Sequence, residues 1–122
     1  MFLQLAHTNL EVFPLAQKLV TQIYLVTIKF PKSESFNMTS QMQRSALSVL
    51  LNIAEGSARK SANERCRFYE ISRASLVELD AALDVAQSLG YFAINEHPEL
   101  EAIMVSTFKK ISLLIKTNRE II

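Results

Sequence analysis

Residues 61–90 read SANERCRFYEISRASLVELDAALDVAQSLG, and both ends carry the punctuation of a helix. Ser61 with Glu64 three residues on has the form of a capping box, in which side chains satisfy the free N–H groups of a first turn. Gly90 stands where a left-handed C-cap belongs, a conformation glycine adopts without a Cβ penalty. Between them Phe68, Ser72, Ser75, Leu79, Ala82, Ala86 and Leu89 recur at alternating steps of four and three, a single helix face. Several of these residues are small, which lets a neighbouring helix come close. This stretch predicts a long helix over 62–89 with a packed partner.

The same period extends in both directions. Upstream, Ser40 and Gln43 have capping-box spacing, and Met42, Ala46, Val49 and Ile53 form a stripe that predicts a helix over 40–56. Leu47, Leu50, Leu51 and Ala54 fill most of the remaining surface, so this helix is buried on more than one side. Gly56 is expected to end it or bend its last turn. Before it, Phe13, Ala16, Val20, Ile23, Thr27 and Phe30 mark a helix over 14–30, with Leu15, Leu19 and Val26 as a second apolar stripe. Pro14 is acceptable in a first turn, where its missing N–H has no partner to lose. Residues 31–38 read as a loop. Downstream, Leu100, Ile103, Thr107, Ile111 and Leu114 define a helix over 96–119 that starts near Pro98.

Four long helices joined by short connections favour antiparallel neighbours. The expected fold is all-α, an up-down-up-down four-helix bundle forming one domain over 1–122. Composition agrees. The chain of 122 residues is 49% hydrophobic and 20% charged, which is globular rather than disordered. Two glycines and three prolines leave little turn chemistry for a β-rich fold. A chain of this length buries about two-thirds of its unfolded surface, enough for one core.

Several function classes are disfavoured. Cys66 is the single cysteine, so no intrachain disulfide forms and the cytoplasm is the expected compartment. The longest uncharged run of the first helix, 19–28, is far short of the roughly 20 apolar residues of a membrane span, and the N-terminus lacks the pattern of a signal peptide. His7 and His97 complete no Glu-x-x-His motif of a di-metal bundle. His97, just before Pro98, is expected to be a surface cap residue. Cys66 has Arg65 and Arg67 beside it, but adjacent side chains on a helix point apart, so a partly buried thiol is expected rather than a nucleophile. No glycine-rich phosphate loop or nucleophile elbow is present. The expectation is a protein without enzymatic activity, metal, cofactor, membrane segment or small-molecule substrate. A small enzyme using Arg44 and Glu55 would lack a positioned nucleophile or base.

Two constellations stand out. Arg44, Ser48, Asn52, Glu55 and Arg59 follow one another at steps of four, four, three and four, a polar ridge along the most apolar helix. Arg44 and Glu55 lie about three turns apart and cannot pair with each other. A structural hydrogen-bond network is favoured over a solvated face or a ligand site. The second constellation is a segregation of charge. An up-down-up-down path brings Arg59, Lys60, Arg65, Arg67, Lys116 and Arg119 to one end, partly offset by Glu55, Glu64 and Glu120. The other end collects Asp80, Asp84, Glu96, Glu99 and Glu101, and no lysine or arginine occurs between Ala74 and Phe108. The net charge of only +1 hides this polarity. The basic end is the candidate nucleic-acid surface; the competing reading is an ordinary solvated surface. The excess of apolar residues on the first two helices predicts a homo-oligomer.

Asn9-Leu-Glu-Val-Phe13, Lys29-Phe-Pro-Lys32, Thr39-Ser-Gln41, Arg44, Asn52-Ile-Ala-Glu-Gly56, Arg59, Ser75-Leu76, Glu78-Leu79 and Leu89-Gly-Tyr91 occur in one order and spacing. Over Asn9 to about Phe92 the chain resembles the bacterial four-helix bundle family encoded in intervening sequences of 23S ribosomal RNA genes. Accessory proteins of diversity-generating retroelements are relatives of that family. The chain departs from the family pattern at Gln43-Arg44, where paired arginines are usual, at Leu50, often proline, and at Phe13, often tryptophan. The resemblance implies a ring-like homo-oligomer, commonly a pentamer, with no enzymatic activity; the retroelement relatives bind nucleic acid and a reverse transcriptase through basic surfaces. Two functions follow as expectations: a non-catalytic oligomeric binding or scaffold protein acting on RNA or a nucleoprotein, and alternatively a structural homo-oligomer with no nucleic-acid role.

Overall fold

A computed structural model describes residues 2–122, and it is all-α: helices α1 (Val12–Thr27), α2 (Met38–Ser57), α3 (Ala62–Ser88) and α4 (Pro98–Ile121), with no strand among the described residues. Short 3-10 turns at Ala6–Asn9, Lys32–Glu34 and Ile94–Glu96 lead into α1, α2 and α4. α2 packs on α1 and α3, α3 packs on α4, and α4 closes against α1. This is the expected antiparallel square. Its upper end holds the α1–α2 and α3–α4 loops, and its lower end holds the α2–α3 loop and the end of α4.

The core is the inward stripe of each helix. Leu19, Ile23, Val49, Ile53, Leu76, Leu79, Leu100, Ile111 and Ile115 are fully buried, and each such side chain contributes about 1.5–3 kcal/mol relative to exposure. Ser72, Ser75 and Thr107 are buried among them, as the periodicity predicts. The α3 stripe fades at its ends: Phe68 is half-buried and Leu89 is exposed.

The α3 punctuation is as expected. Ser61 Oγ accepts the Glu64 N–H at 3.1 Å. At the other end Gly90 has φ +76°, the Tyr91 N–H reaches the Ala86 carbonyl and the Gly90 N–H reaches Gln87, the paired bonds of a Schellman cap.

Four local expectations are corrected. α1 starts at Val12 and stops at Thr27, not Phe30. The Thr27 hydroxyl donates back to the Ile23 carbonyl, and the chain tightens through Phe30 N–H to Thr27 carbonyl; Pro31 also disfavours helical geometry at Phe30. α2 starts at Met38, so Ser40 lies inside its first turn and caps nothing, while Gln43 Nε2 donates to Thr27 Oγ1 at 3.1 Å, tying α2 to α1. Gly56 is not a left-handed cap, and α2 runs one residue past it to Ser57. It is buried in the last turn, where an added Cβ would stand 2.9 Å from Tyr69 Cε1 and 3.0 Å from Phe68 Cβ; the glycine is there because α3 lies that close. α4 begins at Pro98 and runs on to Ile121, with Glu99 and Glu101 in the first turn and Arg119 in the last, each suited to the helix dipole. His97 precedes it, but its side chain makes no capping bond; its ring packs against Phe92, centroids 5.6 Å apart.

Candidate nucleic-acid interface

The ridge on α2 divides into two parts. Ser48 and Asn52 face α3. Ser48 Oγ lies 2.7 Å from Ser75 Oγ, and Asn52 Nδ2 donates to the Ser48 carbonyl at 2.9 Å and to its hydroxyl at 3.1 Å. One turn on, the Ser72 hydroxyl donates to the Val49 carbonyl at 2.7 Å. Small hydroxyl residues on α3 thus knit two closely packed helices, because the short side chains leave backbone carbonyls within reach. The remainder of the ridge faces water: Arg44 and Glu55 are exposed, and Glu55 pairs with Arg59 four residues on. The network reading holds for Ser48 and Asn52 and not for the two ends of the ridge.

The six basic residues lie in the α2–α3 loop, the first turns of α3 and the last turns of α4, all at the lower end, and three of them are committed to the fold. Arg65 on α3 donates from Nε to Asn118 Oδ1 on α4 at 2.8 Å and from Nη1 to the carbonyls of Arg59 at 3.2 Å and Lys60 at 2.8 Å. It therefore clamps the α2–α3 loop to both α3 and α4. Arg59 pairs with Glu55 and lies over the Phe68 ring, 4.6 Å from its centroid, a cation–π contact. Arg119 pairs with Glu70. Lys60, Arg67 and Lys116 are exposed, and none of them is in an ion pair among the described residues. Spacing alone could not separate these two groups, since the partners Glu70 and Asn118 come from other helices. Near the clamp, the Cys66 thiol is buried and donates to the Ile115 carbonyl at 3.6 Å.

Three of the five acidic residues, Asp80, Asp84 and Glu101, wall a groove of about 410 Å³ between α3 and α4 that Leu83, Phe92 and Met104 also line; Glu96 and Glu99 are not among its lining residues. Below it the groove continues along Leu76, Val77, Val105 and Phe108 to Lys109. The sequence shows the charge polarity but not this groove. At the upper end the Tyr91 hydroxyl donates to Glu34 Oε2 at 3.0 Å, joining the two loops, and that bond to a carboxylate raises the Tyr91 pKa above its ordinary value. No helix among the described residues is long and apolar enough to cross a membrane.

A family model described as 23S rRNA-intervening sequence protein matches residues 8–113. The match runs past Phe92, where the motif resemblance stops, and takes in most of α4. No curated protein matches the chain.

Proposed function

The chain belongs to the 23S rRNA-intervening sequence protein family, and we propose that it is a non-catalytic, homo-oligomeric binding or scaffold protein that holds RNA or a nucleoprotein at its basic end. The observation that carries this reading is the trio Lys60, Arg67 and Lys116, exposed and in no ion pair among the described residues, at an end where Glu64 and Glu120 offset them only in part. Cations without intramolecular partners are available to phosphate, and an oligomer repeats them with a gain in avidity. The resemblance to accessory proteins of retroelements, which use basic surfaces, points the same way, and it favours a pentamer.

The competing reading is a structural homo-oligomer with no nucleic-acid role, favoured by the commitment of Arg59, Arg65 and Arg119 to the fold. RNA binding measured over a range of salt separates the two. Removing one cation that pairs with a phosphate lowers the salt slope by roughly one unit, so Lys60→Ala/Arg67→Ala/Lys116→Ala should flatten the slope by about three per protomer engaged. Absence of binding by the unaltered protein at low salt removes the nucleic-acid role. Light scattering that finds only a 13.8 kDa species removes the oligomer.

A further inference from the structure

Two opposite faces of the bundle are apolar at the centre and opposite in charge at the rim. On the α1–α2 side, Tyr24, Leu25 and Ile28 border a shallow hollow with Thr39 and Gln43, and Ile28 is 78% exposed. Phe36, in the loop between the two helices, is fully exposed. From Val12 to Ala54 the charges are Lys18, Lys29, Lys32, Arg44 and a single carboxylate, Glu34. Both oxygens of Glu34 are occupied, by Asn37 and by Tyr91. This segment therefore carries an excess of positive charge, and Lys32 lines the hollow itself. The upper part of the α3–α4 side is the reverse: six carboxylates and no lysine or arginine lie between Ala74 and Phe108, and three of those carboxylates wall the groove, whose lower part exposes Val77, Val105 and Phe108 and ends at Lys109, with Arg73 over the Phe108 ring.

We infer that these two faces are the two halves of one contact between copies of this chain, the α1–α2 face of each copy docking on the α3–α4 groove of the next. This rests on the homo-oligomeric reading above and assigns its surfaces. Exposed apolar side chains at the centre supply burial, and Lys29 and Lys32 meet Asp80, Asp84 and Glu101, the complementarity that fixes register and rejects the wrong face. The carboxylates of the groove repel a phosphate backbone, so a nucleic acid does not fill it. A contact between two different faces is heterologous, which builds a ring where the rotation closes and a filament where it does not. Both faces sit toward the upper half of the bundle. Copies joined this way stand side by side and parallel, with their lower, basic ends aligned along one rim.

The test uses reversal of exposed charges, which leaves the core untouched. One variant is Lys29→Glu/Lys32→Glu; the other is Asp80→Lys/Asp84→Lys/Glu101→Lys. Each alone sets like charges against each other and should dissociate at a concentration at least on the order of tenfold higher than the unaltered protein. Combining both sets in one chain restores opposite signs at every contact of the ring and should restore the assembly. A third variant, Ile28→Asp, should weaken assembly without rescue by either charge set. Circular dichroism melts confirm that each variant folds. An unaltered protein that is monomeric defeats the oligomeric reading itself. An unaltered oligomer whose size survives both reversals, or a chain carrying both reversals that stays dissociated, overturns this assignment alone.

Discussion

Gly56 on α2 lies under the ring of Tyr69 on α3, so close that a Cβ at Gly56 would stand 2.9 Å from Cε1 and 3.0 Å from Cδ1. Tyr69 is buried and cannot swing aside, and the third neighbour, Phe68 Cβ, is fixed to the α3 backbone. Alanine is the better helix former by about 1 kcal/mol, so on propensity Gly56→Ala would stabilise. Overpacking of a filled site costs about 1–3 kcal/mol, and with two rigid neighbours the clash wins. Gly56→Ala is expected to lower stability in urea unfolding; an unchanged or raised midpoint would show that α3 can yield.

The ridge gives a contrast between two neighbours. Asn52 holds Ser48 against Ser75 in a half-buried network, so Asn52→Ala should cost about 0.5–1.5 kcal/mol. Glu55 is exposed and pairs with Arg59, four residues on, and exposed pairs of that spacing contribute about 0.3–0.5 kcal/mol. Thermal melts should therefore separate the two alanine variants. A Glu55→Ala protein that melts as early as Asn52→Ala would place Glu55 in the network after all.

Alkaline pH should loosen the bundle through two phenols. Burial raises the Tyr69 pKa, opposed by Arg65 and assisted by Cys66; the hydrogen bond to Glu34, then burial and the Glu34 charge, raise that of Tyr91. A raised folded pKa means the fold favours the neutral phenol. The stabilisation is complete below the unfolded value of about 10 and is lost as pH rises through the higher folded values. The doubly substituted Tyr69→Phe/Tyr91→Phe protein lacks this pH-dependent term. Its urea midpoint should fall less between pH 8 and pH 11 than that of the unaltered protein, and an equal fall in both would refute the linkage.

What could be read from the sequence was what depends on one helix at a time. Ser61 and Gly90 mark helix ends by local chemistry, and both do what their positions announce. Ser40 and Gly56 carry the same local signatures and do something else. Gln43 reaches across to Thr27, and Gly56 makes room for Tyr69; both duties are set by a second helix, which no single-helix pattern reports. The candidate basic end divides for the same reason. Its six cations are legible as a cluster, but Arg119 and Arg65 are claimed by Glu70 and Asn118, 49 and 53 residues away in sequence.

Arg65 provides the sharpest separation between holding the fold and holding a ligand. Its guanidinium satisfies Asn118 Oδ1 and two loop carbonyls at once, a fork that lysine, with a single point charge, does not reproduce. Arg65→Ala leaves those acceptors without their donor, and the destabilisation expected for hydrogen bonds to a charged group is about 1.5–3 kcal/mol. Arg65→Lys should keep the charge at this end, and with it the salt dependence of any RNA binding, while recovering little of the stability. Lys60→Ala, Arg67→Ala and Lys116→Ala remove exposed side chains and should each shift stability by no more than about 0.5 kcal/mol. Thermal melts and salt titrations of these five variants sort the residues into those that clamp the loop and those that meet phosphate. Arg65→Ala melting with the unaltered protein would dissolve the clamp and return Arg65 to the surface that faces the ligand.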